Sequence, residues 1–242
     1  ENEAPVIASF MGDSGSATMH VEGQPVIVSG AFTDLGMLDT HVAQINWGDG
    51  AVTLGTLSEA GGAGTFVGSH VYAQGGIFTV VLTLGDDDTE VAVATVPVFV
   101  TGAGLREVNG RRVLQIVGTN EDDRLLVNRQ GHGSLTVQAN FLSERNRQRS
   151  FPADQVELSS AYLGDGDDRA TIDGSLATPA ILDGGSGEDT LLAGGGNTVL
   201  IGGAGSDTLT GGSGRNLLLG GTGRDVLRGG QGDDILLGGR TR

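Results

Sequence analysis

The stretch from Gly184 to Leu237 reads GGSGEDTLL AGGGNTVLI GGAGSDTLT GGSGRNLLL GGTGRDVLR GGQGDDILL. Written in nines, its units begin at 184, 193, 202, 211, 220 and 229. The first position is Gly in every unit except at Ala193, and the second and fourth are Gly throughout. The eighth is always Leu: Leu191, Leu200, Leu209, Leu218, Leu227 and Leu236. The sixth varies, as Asp189, Thr198, Asp207, Asn216, Asp225 and Asp234. A fixed spacing held over six units is the signature of a stacked solenoid, in which each unit buries its apolar side only against its neighbours.

The residue types explain the coil. Glycines let the chain take positive φ and turn its carbonyls inward. The short segment around each Leu makes a minimal strand whose middle side chain faces the interior. One unit supplies a turn and a strand, so two units close a coil with a strand on each side. Stacked about 4.8 Å apart, the six Leu are expected to form two facing ladders around a thin dry core.

This is the pattern G-G-x-G-x-D-x-U-x, and the segment resembles the hemolysin-type, or RTX, calcium-binding repeat family. The resemblance implies a parallel β-roll whose turns hold Ca²⁺. It also implies export into millimolar calcium, the roll staying largely unfolded where calcium is scarce.

With two units per coil, alternate units share an edge. Asp189, Asp207 and Asp225 fall on one edge, and Thr198, Asn216 and Asp234 on the other. Carboxylates among inward carbonyls form the oxygen-rich shell that Ca²⁺ takes, with six to eight ligands at about 2.3–2.6 Å. Unpaired carboxylates about 5 Å apart repel by roughly 1 kcal/mol even in water, which a bound cation reverses. A hydroxyl and an amide on the second edge weaken binding there. Gly164-Asp165-Gly166-Asp167-Asp168 fits the same frame from Leu163, and by unit count Asp168 extends the Asp189 edge. A degenerate unit at 175–183, with Ala180 sixth and Leu182 eighth, follows after three extra residues. The expected metal ligands are Asp168, Asp189, Asp207, Asp225 and Asp234, holding about two to three ions, mainly on the Asp168 edge.

Composition sets the outer bounds. The 242 residues include 44 Gly and only 4% aromatics, with 38% hydrophobic content, which suits a small-residue repeat better than a conventional core. The net charge of −16 disfavours nucleic acid. Every basic residue is Arg and the first is Arg106, so residues 1–105 carry 12 acids and no base. That asymmetry places a boundary near residue 102. Cys is absent, so no disulfide or thiolate site exists. No apolar run reaches the roughly 18 residues that span a bilayer. Glu1-Asn2-Glu3 lacks the basic and apolar regions of a leader peptide, so an exported chain would be a mature form or a piece of something longer. The coil at 229–239 has no evident cap.

Residues 113–162 read as short strands at Val113–Val117, Leu125–Val127, Ser134–Ala139 and Val156–Leu158, an irregular lead-in to the roll. Arg145, Arg147 and Arg149 make a local cluster that reads as a solvated loop, and His132 reads as an exposed turn residue. Nearer the N-terminus, strands are expected at Val26–Phe32, Val42–Trp47, Phe66–Tyr72, Phe78–Leu84 and Val91–Val100. Trp47-Gly48-Asp49-Gly50, His70-Val71-Tyr72 and Gly76-Ile77-Phe78-Thr79-Val80 together resemble the PKD family. That resemblance implies an immunoglobulin-like sandwich, with Phe78 where Tyr is common. Trp47 is then a core residue and Asp49 a structural turn residue. Asp86-Asp87-Asp88 reads as a solvated acidic turn ahead of a loop cation site.

The fold expected is all-β: an immunoglobulin-like (PKD-type) β-sandwich over 1–101, a lead-in segment over 102–162, and a right-handed parallel β-helix or β-roll over 163–242. The function expected is a non-catalytic, secreted or cell-surface calcium-binding module. Its further partners would be an extracellular or cell-surface protein or carbohydrate. The alternative is the accessory region of a secreted protease or polysaccharide-active enzyme. Against catalysis stand four scattered His without H-E-x-x-H, and a Gly12-Asp13-Ser14-Gly15 turn that does not fit a nucleophile elbow. Paired acids on a β-helix face stay open for glycoside hydrolysis.

Overall fold

The computed structural model describes residues 3–12, 19–131 and 133–239, so the readings of His132 and of Asp13-Ser14-Gly15 lie outside the described residues. The chain divides into two compact units, 1–100 and 101–242.

The first unit carries β1 (Val6–Gly12), β2 (Met19–Val21), β3 (Pro25–Thr33), β4 (His41–Asn46), β5 (Val52–Leu54), β6 (Thr56–Ala60), β7 (Ala63–Val71), β8 (Gly76–Asp86) and the start of β9 (Val91–Val108). One sheet runs β1-β3-β7-β6 and the other β5-β4-β8-β9, with β2 beside β9. Every pairing between these strands with a resolved register is antiparallel. Alternation does the sorting: β4 buries His41, Ala43 and Ile45 and exposes the residues between. Inward residues Val26, Phe32, Ile45, Trp47, Phe66, Tyr72, Phe78 and Leu82 form the core, none more than 2% exposed. The five strands expected here are all present. The sequence reading missed β1, β2, β5 and β6, which are short or expose much of their length.

The W-G-D-G turn is fastened by its own side chains. Tyr72 OH donates to the Trp47 carbonyl at 2.9 Å and the indole N–H donates to Thr53 Oγ1 at 2.9 Å. His70 stacks on Trp47 and its Nε2 meets Asp49 Oδ2 at 2.7 Å. Trp47 is fully buried, a core residue as its position in the motif suggested.

The second unit is a solenoid. Residues 102–108 of β9 pair antiparallel with β10 (Arg111–Val117). Then follow β11 (Arg124–Gln130), β12 (Ser134–Ala139), β13 (Gln148–Pro152), β14 (Leu158–Asp165), β15 (Arg169–Ile172), β16 (Ala180–Ser186), β17 (Thr190–Leu192), β18 (Thr198–Ala204), β19 (Thr208–Thr210), β20 (Asn216–Thr222), β21 (Val226–Arg228) and β22 (Ile235–Leu237). Two parallel stacks face each other, β10-β14-β16-β18-β20-β22 and β11-β15-β17-β19-β21. Leu182 pairs with Leu200 and Leu200 with Leu218, while Leu191 pairs with Leu209, so each coil takes 18 residues, or two nonamers.

Coiling already begins at β10 and β11, and the hairpin β12–β13 is the excursion from it. The strand expected at Val156–Leu158 starts instead at Leu158 and runs to Asp165. A short 3₁₀ turn at Ala153–Gln155 precedes it, and buried Val156 packs as part of the loop. The strands are also unequal. β17, β19 and β21 have three residues, as a minimal strand should, but β16, β18 and β20 have seven because pairing continues through the next glycines.

The dry core is shorter than six Leu. Leu191, Leu200, Leu209 and Leu218 are 0% exposed, each such burial worth about 1.5–3 kcal/mol. Leu227 is only partly buried and Leu236 is 42% exposed. Among the described residues, no further coil stacks on β22.

Candidate metal centre

The turns before the sixth-position aspartates share one backbone shape. Gly164 and Gly166, Gly185 and Gly187, Gly203 and Gly205, and Gly221 and Gly223 all have positive φ, between 104° and 144°. These precede Asp168, Asp189, Asp207 and Asp225. Gly230 and Gly232, before Asp234, do likewise. The glycines before Thr198 and Asn216 do not take positive φ. The turn conformation therefore follows the aspartate.

Along the first edge a single chain of hydrogen bonds climbs the stack. The N–H of Asp168 donates to Asp189 Oδ1 at 2.9 Å, that of Asp189 to Asp207 Oδ1 at 2.9 Å, and that of Asp207 to Asp225 Oδ1 at 3.2 Å. The chain also runs one coil further back, where the N–H of Asp123 donates to Asp168 Oδ1 at 2.7 Å. The second oxygen, Oδ2, of Asp168, Asp189, Asp207 and Asp225 is buried and makes no hydrogen bond. Four orphaned carboxylate oxygens in one column are costly unless something positive meets them.

First-position glycines make the space around these oxygens. A methyl group on Gly202 would lie 2.3 Å from Asp207 Oδ2 and 2.5 Å from the Gly220 carbonyl oxygen. At Gly184 the corresponding distances are 2.2 Å to Asp189 Oδ2 and 2.9 Å to Gly202 O. Carboxylate and carbonyl oxygens thus converge on a spot that a side chain would fill. Hard oxygen donors of this kind fit calcium.

Electrostatics agree with an unmet cation. Burial, then neighbouring carboxylates such as Asp189, push Asp168 up to about 8, although the Asp123 N–H works against them. Burial and Asp207 push Asp189 up to about 6, and Asp207 is raised by burial and Asp225. Near neutral pH Asp168 by itself holds on to its proton, which a divalent cation would displace.

The extra residues before the 184 unit leave the column undisturbed. They sit between β15 and β16, where Asp173 and Ser175 form a turn and Leu176 tucks into the core. Asp168 therefore keeps its register with Asp189. Asp123 is the member that sequence reasoning missed. Its signal is Asp122-Asp123-Arg124-Leu125 against Asp167-Asp168-Arg169-Ala170, five residues after Gly118, but without the second and fourth glycines. Its carboxylate is already engaged by Thr119, through the N–H at 2.7 Å and the hydroxyl at 3.1 Å.

The second edge differs. Thr198 Oγ1 donates to the Gly196 carbonyl, and Asp234 Oδ1 accepts from both the N–H and the amide of Asn216. Asp234 is the one expected ligand that stands apart from the column.

Other polar groups find local partners. Arg149 turns inward to Glu144 and the Ala103 carbonyl, whereas Arg147 lines a groove of about 610 Å³ with Arg124 and Arg169. The linear Arg cluster therefore does not act as one patch. In the sandwich unit, Asp34, Asp39 and Asp86 bring carboxylate oxygens within 4.8 Å of one another. Asp34 is already committed to His41 Nε2 at 3.0 Å and to the Gly36 N–H at 2.7 Å, and Asp86 Oδ1 closes its own turn.

The family model for the RTX calcium-binding nonapeptide repeat matches residues 183–218 and 210–241. Residues 183–241 are RTX repeats. The hydrogen-bonded ladder of aspartates extends, through Asp168 and Asp123, ahead of the residues that the family model matches. No curated protein sequence matches this chain. Among solved structures, the PKD domain of an M14-like peptidase from a Thermoplasmatales archaeon is similar over 41% of this chain and 98% of its own, at 23% identity and a TM-score of 0.35. The PKD1 domain of Vibrio anguillarum Epp covers 42% and 99%, at 22% and 0.31. Dimeric latent PorU from Porphyromonas gingivalis shares 57% of this chain and 13% of its own, at 16% and 0.32. The chain is a β-sandwich followed by a β-roll that ends in RTX repeats, and no described helix is long and apolar enough to cross a membrane.

Proposed function

We propose that this chain is a secreted or cell-surface structural module, non-catalytic in itself, whose roll folds around calcium held by Asp168, Asp189, Asp207 and Asp225. The observation that carries it is the column of four buried, unpartnered Oδ2 atoms, with inward carbonyls beside those of Asp189 and Asp207. Adjacent members define three steps, Asp168–Asp189, Asp189–Asp207 and Asp207–Asp225, and an ion at each would neutralise oxygens drawn from two coils. Calcium supplies the positive charge. The chain's own residues supply shape: glycines open the space and aspartates bridge the coils. Asp234, with its Oδ1 engaged by Asn216, contributes weakly.

The same solenoid would serve as a scaffold that links the sandwich unit to a partner outside the cell, protein or carbohydrate. The test is circular dichroism with a chelator, with calcium and with magnesium. Calcium should restore a β signal that the chelator removes and magnesium should not, because Mg²⁺ demands a tighter octahedral shell. An unchanged spectrum in the chelator would overturn the coupling of metal and fold.

A further inference from the structure

On the second edge the metal's place is taken by a side chain. Asn216 is 3% exposed, and its amide nitrogen donates to Gly214 O at 2.8 Å, Asp234 Oδ1 at 2.9 Å and Gly229 O at 3.2 Å. Two of those acceptors, Gly229 O and Asp234 Oδ1, correspond unit for unit to Gly220 O and Asp225 Oδ1 beside Asp207 on the first edge. A methyl on Gly211 would meet Gly229 O at 1.8 Å and Asn216 Nδ2 at 2.8 Å, where one on Gly202 meets Gly220 O and Asp207 Oδ2. Both edges set a carbonyl oxygen and the sixth-position side chain against the first-position glycine. The Asn216 turn lacks the positive φ of the aspartate turns, and Asn216 Oδ1 accepts no hydrogen bond where Asp207 Oδ1 accepts one. What decides the metal is the polarity of the atom that faces the carbonyl. An Oδ2 facing a carbonyl puts acceptor against acceptor, so a cation is needed between them. An Nδ2 facing the same carbonyl is a donor against an acceptor, and the gap closes without one. Thr198 repeats the device one coil earlier, its hydroxyl donating to Gly196 O as Asn216 donates to Gly214 O.

We infer that Asn216, with Thr198, makes the second edge a calcium-independent spine by placing a side-chain proton donor where the first edge would place an ion. This rests on the reading of the first edge as a calcium column, and it adds that calcium dependence is set rung by rung at the sixth position. The glycines at 211, 212 and 214 are retained, so the turn keeps the freedom to accept the other polarity.

Two reciprocal substitutions test it, read by native mass spectrometry in calcium and by thermal unfolding in chelator. Asn216→Asp should gain one bound Ca²⁺ per chain and melt lower than the parent in chelator, the loss being recovered by calcium. Asp207→Asn should lose bound Ca²⁺ yet melt no lower than the parent in chelator, because it installs a donor. Asn216→Ala, which removes the donor without adding a ligand, should lower melting equally with and without calcium and gain no ion. An Asn216→Asp chain that gains no ion and melts like its parent in chelator would overturn the inference. So would an Asn216→Ala chain with unchanged melting. Should the parent bind no calcium, the first-edge reading falls, while the melting of Asn216→Ala still decides whether the amide holds the second edge.

Discussion

Asp207 and Asp234 occupy the same place in their nonamers, yet their surroundings assign them different weights. The Asp207 carboxylate is 1% exposed, accepts the Asp189 N–H, and leaves its other oxygen facing the cradle. Replacing it by Ala strands a buried N–H, which costs about 1–3 kcal/mol, and removes a ligand from two steps. Asp234 is only half-buried and serves mainly Asn216. Asp207→Ala should therefore lower the melting temperature in calcium clearly more than Asp234→Ala, and equal shifts in differential scanning calorimetry would count against the column. In the sandwich unit, His41 is buried between Asp34 and Glu59. Burial alone disfavours its charged ring, but hydrogen bonds to Asp34 and then Glu59 outweigh it and hold its pKa above the ordinary value. A raised folded pKa stabilises fully below the unfolded value of about 6.5 and is lost as the pH rises through the folded one. Asp34, lowered chiefly by its bond to His41, contributes above the ordinary carboxylate range and is lost on acidification. The sandwich should thus lose stability as the pH climbs above about 6.5, and His41→Gln should flatten that slope in pH-dependent melts.

The elements were unevenly legible. Strict alternation in β4 and β8, and the nonamer register of the roll, are local patterns that a linear reading captures. The split of the sixth positions into two edges also follows from unit counting alone. What escaped depends on contacts distant in sequence. Asp123 joins the column only because β11 pairs with β15, a separation of 45 residues. The seven-residue strands exist because β16, β18 and β20 keep pairing through glycines that a nonamer frame assigns to the turn. The insertion before the 184 unit is harmless because it falls on the side of the coil away from Asp168. Burial also fades toward β21 and β22, where Val226 is 44% and Ile235 60% exposed. Since amide protection follows packing, hydrogen exchange in calcium should be slowest in β16, β18 and β20 and faster in β21 and β22. Uniform protection along the stack would contradict that gradient.

At the scale of the molecule, the two units depend on different physics. The sandwich closes on large apolar side chains, Trp47, Tyr72, Phe32 and Phe66 among them, whereas the roll has narrow Leu ladders and a column of carboxylates. Trp47 is the single tryptophan of the chain and lies in the sandwich core. Its emission therefore reports one unit alone, while far-ultraviolet circular dichroism reports both. Adding a chelator should diminish the β signal and leave the Trp47 emission maximum in place. A simultaneous red shift would mean that the sandwich also needs the metal.

The column of aspartates has one more consequence, for how the roll answers a rising calcium concentration. Each interior aspartate gives one oxygen to the backbone of the preceding coil and presents the other to the cradle, so ordering one step positions half the donors of the next. Partial occupancy is then the least favourable state, and filling proceeds as a chain of linked events. A calcium titration followed by circular dichroism should rise more steeply than a single-site curve, giving the roll a threshold where independent sites would give it a slope.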